Sequence, residues 1–440
     1  MSTTQIFCAS TLYGAATLAA AIDADCFAPA GRRILLVSNN AGNPEIAPAV
    51  DAMPGFEQLH HRFDDVLSWN ETIAPLHPGG WSPRTDDVPL LQRHLRLLWN
   101  LGDDAVELIL ESIQVNPALA LSQVFTGSPV DVYADGLMSY GPTRFKIDPL
   151  VGTAVRRLLH LDLVPGLKPL LLTEFGVRPE IVPAEPFLKV LGDLADAAGE
   201  LPPLPDSPAL LLGQYLSALS ILTPDEEEQL HVRMLRGAVR RGHHRIVFKP
   251  HPTAPARWSR SLEEEAEKLG VELTVLNLPV LAEVLYERAR PALVVGCFST
   301  ALFTASALYG LDVARTGTDL LLERLTPYQN SNRIPVTLTD ALLPDIEAEE
   351  AAEAEADLTG LVAAVGFGMQ PQIYPGLRAA ATRYLTDHFN ARTQPYFKRR
   401  RLTSLALPGG LPTRLNFIPR NRTVRSVARR ARSLKRSALG

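Results

Sequence analysis

The strongest constraint on the fold is an alternation of short apolar stretches with helix-like stretches, and it occurs twice. In the first series, residues 5–9, 33–38 and 130–133 read as strands. Residues 11–23, 90–116 and 151–172 read as helices. In the second, strands are expected at 209–213, 245–249, 272–276 and 292–296. Helices are expected at 225–241, 261–269, 281–289 and 301–309. Strands interleaved with helices imply parallel sheets covered on both faces. Between the two series lie Pro179, Pro183 and Pro186 and then Leu201-Pro-Pro-Leu-Pro-Asp-Ser-Pro208, a run suited to a linker. The expected fold class is therefore α/β, with two Rossmann-like domains facing a cleft. The reading divides the chain into a first domain (1–185), a linker (186–208), a second domain (209–370), a helical segment (371–397) and a basic tail (398–440).

Composition narrows the setting. The chain of 440 residues is 46% hydrophobic and 21% charged, which suits burial of more than one core. Cys8, Cys26 and Cys297 are odd in number and far apart, without a CxxC pair, so neither a disulfide framework nor a zinc site is expected. The N-terminus lacks a basic n-region before an apolar run, and no long uncharged apolar stretch follows. The expectation is a cytoplasmic protein without a membrane span.

Charge is distributed unevenly. No acidic residue follows Asp387, so the chain beyond it carries +14 while the body carries −19. In the tail, Val424, Val427, Ala428, Ala431, Leu434 and Ala438 recur at helical spacing among arginines and lysines. A basic amphipathic helix of this kind suits an anionic membrane surface, here the inner face of the cell membrane. A solvated tail remains the plain alternative. Nucleic acid is not expected, because no nucleic-acid fold accompanies the tail.

Three strand ends carry candidate chemistry. Lys249-Pro-His251-Pro252 follows an apolar strand, where a cation and an imidazole suit a phosphate leaving group. Gly296-Cys-Phe-Ser299-Thr300 places hydroxyls at a strand–helix junction, either as helix caps or as part of an anion site. Ala134-Asp135-Gly136 ends a first-half strand, as an ordinary turn or as a carboxylate offered to a hydroxyl.

Taken in order, Asp-Gly, Lys-x-His-Pro and Ser-Thr resemble the bacterial sialyltransferases and α-2,8-polysialyltransferases, with their acidic-glycine, His-Pro and serine motifs. Ser10-Thr-Leu-Tyr-Gly14 and Tyr140-Gly-Pro-Thr-Arg144 are similar to segments of actinobacterial members. The resemblance spans roughly residues 1–390. It implies a GT-B fold, with the first domain on the acceptor side and the second holding a CMP-activated nonulosonic acid. It further implies inverting transfer to a glycan or lipid-linked glycan in surface polysaccharide synthesis, with no cofactor and no metal. By motif match, Asp135 is the base and His251 acts on the leaving phosphate. Lys249, Pro252, Gly296, Ser299 and Thr300 bind the donor, and Ser10, Thr11, Gly136 and Arg144 are acceptor-side candidates. The sequence departs from the family at Ala134, where a first acidic residue is usual. Asp131 is then an alternative base, and a decayed glycan-binding or assembly protein an alternative class. Lys-x-His-Pro also resembles Kdo transferases and CDP-polyol polymerases of capsule and cell-wall assembly.

Two weaker signals are read as structural. His60-His61 beside Asp64-Asp65 lacks a spaced partner for a metal. The polar run Tyr328–Arg333 reads as a surface loop.

Overall fold

A computed structural model describes residues 2–251, 257–349 and 355–411. Pro252, part of the Ala/Glu run at 346–357, and the amphipathic stretch 424–438 lie outside or partly outside these residues.

The first sheet comprises β1 (Thr3–Ala9), β2 (Arg32–Val37), β3 (Asp65–Ser68), β4 (Ala105–Glu111), β5 (Val130–Ala134), β6 (Val155–Leu161) and β7 (Arg178–Val182). Its order is β3-β2-β1-β4-β5-β6-β7 and every pairing is parallel. The second sheet comprises β8 (Ala209–Leu212), β9 (Arg245–Lys249), β10 (Glu272–Val275), β11 (Leu293–Gly296) and β12 (Val313–Arg315). Its order is β10-β9-β8-β11-β12, again parallel throughout. Central strands such as Ala209–Leu212 and Leu293–Gly296 are buried along their whole length, as parallel strands covered on both faces must be. Each sheet reverses its winding once, between β1 and β4 in the first and between β8 and β11 in the second. Crevices open at the carboxyl ends of strands at such reversals.

Two helical expectations are overturned. Within 90–116, the helix Val88–Leu98 ends before Asn100 and Gly102, both at positive φ, and the chain then enters β4. Ala, Leu and Glu favour helix intrinsically. Here the seven-residue run sits between β1 and β5, where burial on both faces decides its conformation. Within 151–172, the segment Val155–Leu161 is β6. Its Arg156 and Arg157 reach Asp131 of β5 at 2.8 and 2.9 Å.

The stretch read as a linker begins inside a helix, Ala184–Ala197. Pro186 is tolerated there because the first turn has no intrahelical N–H bond to lose. This helix packs on the first helix, Leu12–Asp23, and on Ala282–Ala289 of the second domain, and Arg288 donates to Ala195 O at 2.7 Å.

After the second sheet the chain returns to the first. Gln370 Nε2 donates to Arg144 O at 2.5 Å, and Tyr374 Oη donates to Leu170 O at 2.9 Å. The helices Leu358–Met369 and Arg378–His388 follow one another here. The part of the basic segment from Lys398 to Leu411 folds onto the body. Arg399–Ser404 is helical, Leu402 is buried, Lys398 Nζ donates to Leu322 O at 2.9 Å, and Arg401 Nε donates to Gly368 O at 2.8 Å. The tail read from sequence as beginning at 398 is therefore held to the body as far as 411.

Candidate functional site

On the first domain, the site is built from the ends of β1, β4 and β5. Ser10 and Thr11 form the turn after β1, and Thr11 caps the helix Leu12–Asp23 by accepting from Gly14 N at 2.9 Å. Asp135 follows β5, and its Oδ2 and the Thr11 hydroxyl border the same space over Gly14, 3.3 and 3.1 Å from where a β-carbon there would stand. Burial, and next the charge of Glu111, push the Asp135 carboxyl up to about 7. Glu111 ends β4. Its Oε2 accepts from Ser10 N at 3.1 Å and from Ser10 Oγ at 2.6 Å, while burial raises its pKa above the usual carboxylate range. Gly14 leaves room for this arrangement. A β-carbon there would lie 3.0 Å from Tyr133 Oη and 3.3 Å from Asp135 Oδ2.

Asp131 is excluded as an alternative base by its surroundings. It lies at the opposite end of β5, fully buried, and is bound by both Arg156 and Arg157.

On the second domain, β8, β9 and β11 supply the site. Lys249 is buried at the end of β9, which pushes its ammonium down to about 8, opposed by the nearby charge of Glu283. Its Nζ lies 3.4 Å from Leu278 O. His251 is exposed, and its ring stands 6.2 Å from that of Tyr215. Partial desolvation and then Lys249 hold its pKa below the ordinary histidine value. Gln214 Oε1 accepts from Phe298 N at 2.9 Å, tying the loop after β8 to the loop after β11. That β8 loop is itself fixed by the buried Glu227, which accepts from Leu216 N at 2.7 Å and Ser217 N at 2.8 Å. Gly296 ends β11, where Leu302 Cδ1 would stand 3.3 Å from an added β-carbon. Ser299 caps the helix Thr300–Ala307, accepting from Ala301 N at 3.3 Å. The N-terminal end of this helix thus opens at the reversal point of the second sheet, where a helix dipole favours an anion.

The two halves meet at these edges. A β-carbon on Gly136 would stand 2.9 Å from Thr300 Oγ1. Tyr13 Oη and Thr304 Oγ1 are hydrogen-bonded at 2.9 Å across the domains. Nearby, the buried Glu283 has its carboxyl pushed up to about 7 by burial and lies in the field of Lys249.

Arg144 lies on the first domain beyond Gly136, where its N–H donates to Gln114 Oε1 at 2.6 Å and its Nη2 to Met138 Sδ at 2.7 Å. Among the described residues it forms no ion pair.

The structure thus brings Ser10, Thr11, Asp135, Gly136 and Thr300 into one neighbourhood. Lys249 and His251 lie along the same strand edge as Ser299. The sequence reading missed Glu111, Gln214, Tyr215, Tyr13 and Glu283. Glu111 ends and Gln214 closely follows a strand at a reversal point, a signal concealed for Glu111 by the helical reading of its strand.

The sequence profile described as Alpha-2,8-polysialyltransferase (POLYST) matches residues 5–316, more than half of the chain and both sets of strand ends. The chain belongs to this family. Members are glycosyltransferases, and the two facing parallel-sheet domains are of the GT-B type. No curated protein matches the sequence. Solved structures to which the chain is similar include the GT-B domain of a Photobacterium damselae sialyltransferase. That match has 13% identity, covers 76% of this chain and 95% of that one, and has a TM-score of 0.38. A Polygonum tinctorium UDP-glucosyltransferase matches at 11% identity, 90% and 97% coverage and a TM-score of 0.42. Acinetobacter baumannii MurG matches at 12% identity, 78% and 84% coverage and a TM-score of 0.38.

Among the described residues, no group of three or more His, Cys, Asp or Glu is placed to hold a metal ion. Near His60 and His61, Asp64 accepts from Arg33 N and Asp65 pairs with Arg32. Nor is any helix among them long and apolar enough to cross a membrane.

Proposed function

We propose that the protein transfers a nonulosonic acid from a CMP-activated donor to a hydroxyl of a glycan acceptor, with inversion. Asp135 takes the proton from the acceptor hydroxyl as its oxygen attacks the anomeric carbon. The bond from that carbon to the phosphate oxygen breaks, and CMP leaves with the electron pair. Lys249, the imidazole of His251 and the helix end at Ser299–Thr300 meet the charge on the departing phosphate. In this reading no bound ion is needed, so chelators leave the rate unchanged.

The observation that carries the reading is the meeting of Gly136 with Thr300, which brings the acidic strand end of one domain against the hydroxyl strand end of the other. Asp135, next to that contact, is pushed up to about 7 by burial and the charge of Glu111, which suits a base that works near neutral pH. Family membership makes a nucleotide sugar and a glycan the substrate classes.

A donor panel tests the reading. CMP released from a CMP-nonulosonate in the presence of a glycan supports it. Consumption of a CDP-polyol instead assigns the site to polyol-phosphate transfer, and turnover of neither donor assigns the chain a binding role.

We further propose that residues 412–440, with nine Lys and Arg and no acidic residue, hold the enzyme at an anionic membrane surface bearing a lipid-linked acceptor. About 1 kcal/mol of attraction per nearby basic residue supplies the binding.

A further inference from the structure

We propose that Glu111 is the partner carboxylate of Asp135, a positioning residue that supplies from a neighbouring strand the second acid absent at Ala134. The inference rests on the reading of Asp135 as the base.

Geometry places the two together. Glu111 pairs with Tyr133 in the β4–β5 register. Side chains two apart along a strand share a face, so Asp135, two residues beyond Tyr133, continues on Glu111's side. Consecutive residues of one turn lie against the two acids: Ser10 donates twice to Glu111 Oε2, and the Thr11 hydroxyl borders Asp135 Oδ2 over Gly14. Both Ser10 bonds fall on one oxygen, which leaves Oε1 for a further partner. Among the described residues no lysine, arginine or histidine forms an ion pair with either carboxylate.

Two neighbouring half-buried carboxylates without a cation cannot both ionise cheaply, so the pair retains one proton to higher pH than either acid alone. The other titratable groups facing them stay protonated near neutrality. Burial raises the thiol of Cys8 on β1, the phenol of Tyr133 on β5 and the phenol of Tyr13 on the first helix. The second domain offers Thr300, which does not titrate, and, beyond Tyr13, Glu283. After burial, Glu111 is therefore the charged group that raises the pH at which Asp135 becomes a base. Ala134 is itself buried, so a carboxylate there would have to be accommodated inside the core.

The test compares the full-length protein with Glu111→Gln, which keeps the shape and can still accept from Ser10. The first readout is the ¹³C titration of the Asp135 carboxyl, which requires no turnover. Its midpoint should fall by about one pH unit or more in the variant, because a like charge has been removed. The second readout is the pH profile of kcat/KM for CMP release. Its acid limb should move down in parallel, with a lower plateau because the base is weaker, and CMP affinity should be unchanged. An unmoved Asp135 midpoint overturns the proposal. So does a variant without any activity whose Asp135 still titrates normally, because Glu111 would then be the base itself. If Asp135 shifts but Asp135→Asn remains active, the pairing stands and the base assignment fails. Should Glu111→Gln not fold, Ser10→Ala, which removes the clamp on Oε2, must alter the Asp135 midpoint.

Discussion

Thr300 Oγ1 lies 2.9 Å from the position a β-carbon would take on Gly136, although the two residues belong to different sheets. The absence of a side chain at 136 lets the domains approach at the strand ends that carry Asp135 and Ser299. Gly136→Ala should push Thr300 aside or part the domains at a cost of about 1–3 kcal/mol. Turnover should fall by about tenfold or more, at 1.4 kcal/mol per decade, while CMP affinity, a property of the second domain, is retained. Steady-state rates alongside calorimetric titration with CMP check this.

Asp135 should lower stability above neutral pH. Its folded pKa is raised from an ordinary 3.8 to about 7, so its favourable contribution is complete below 3.8 and disappears as pH rises through 7. Asp135→Asn removes the cost of ionising the group. The variant should be more stable than wild type at pH 8 by about 1–4 kcal/mol, with the gain vanishing near pH 4. Denaturant melts at the two pH values measure it. Equal gains at both would show that the effect is unrelated to ionisation.

His251 should titrate below the ordinary histidine range in the free protein, because desolvation and Lys249 disfavour its cation. A phosphate bound beside it favours that cation. Saturating CMP should therefore raise its pKa in an NMR titration. His251→Ala should lower kcat more than it weakens CMP binding.

Glu283 should support the charge on Lys249. The negative field of Glu283 raises the lysine pKa against burial. Glu283→Gln should therefore lower it below about 8 and weaken CMP binding at pH 8 more than at pH 6.5. Calorimetry at the two pH values tests this, and equal weakening at both would assign Glu283 a purely packing role.

Two truncations should separate the parts of the basic segment. Removing 412–440 should abolish co-sedimentation with anionic vesicles and leave CMP release intact. In the full chain, vesicle binding should weaken as the Debye length falls from about 10 Å at 0.1 M salt to about 3 Å at 1 M. Removing 398–440 should also destabilise the body, because Leu402 is buried and Lys398 and Arg401 bind main-chain carbonyls there.

The second sheet was the more legible in sequence. Its strands are short, apolar and bounded by Pro, Gly or a cap, as at Arg245–Lys249 and Leu293–Gly296. The alternation alone gave the α/β class. β4 was hidden because five residues of Ala-Val-Glu-Leu-Ile-Leu-Glu, the Ala, Leu and Glu, are good helix formers. Only its neighbours β1 and β5, distant in sequence, impose the extended form, and Glu111 was lost with the strand. Tyr13 and Thr304 could not be paired from sequence because their contact depends on how the two sheets face each other. The extent of the tail was misread because Leu402 and Leu407, few among many basic residues, are the ones that dock.

The central claim is that Asp135 and His251 act from opposite domains on one CMP-sugar. It is tested most directly by following sugar transfer and CMP release together, from CMP-sialic acid to an oligosialyl acceptor, in wild type, Asp135→Asn and His251→Ala. The account predicts transfer by wild type, none by Asp135→Asn with CMP still bound, and a severe loss of turnover in His251→Ala. Wild-type protein that neither releases CMP nor transfers sugar, or an Asp135→Asn variant that transfers at the wild-type rate, would contradict it.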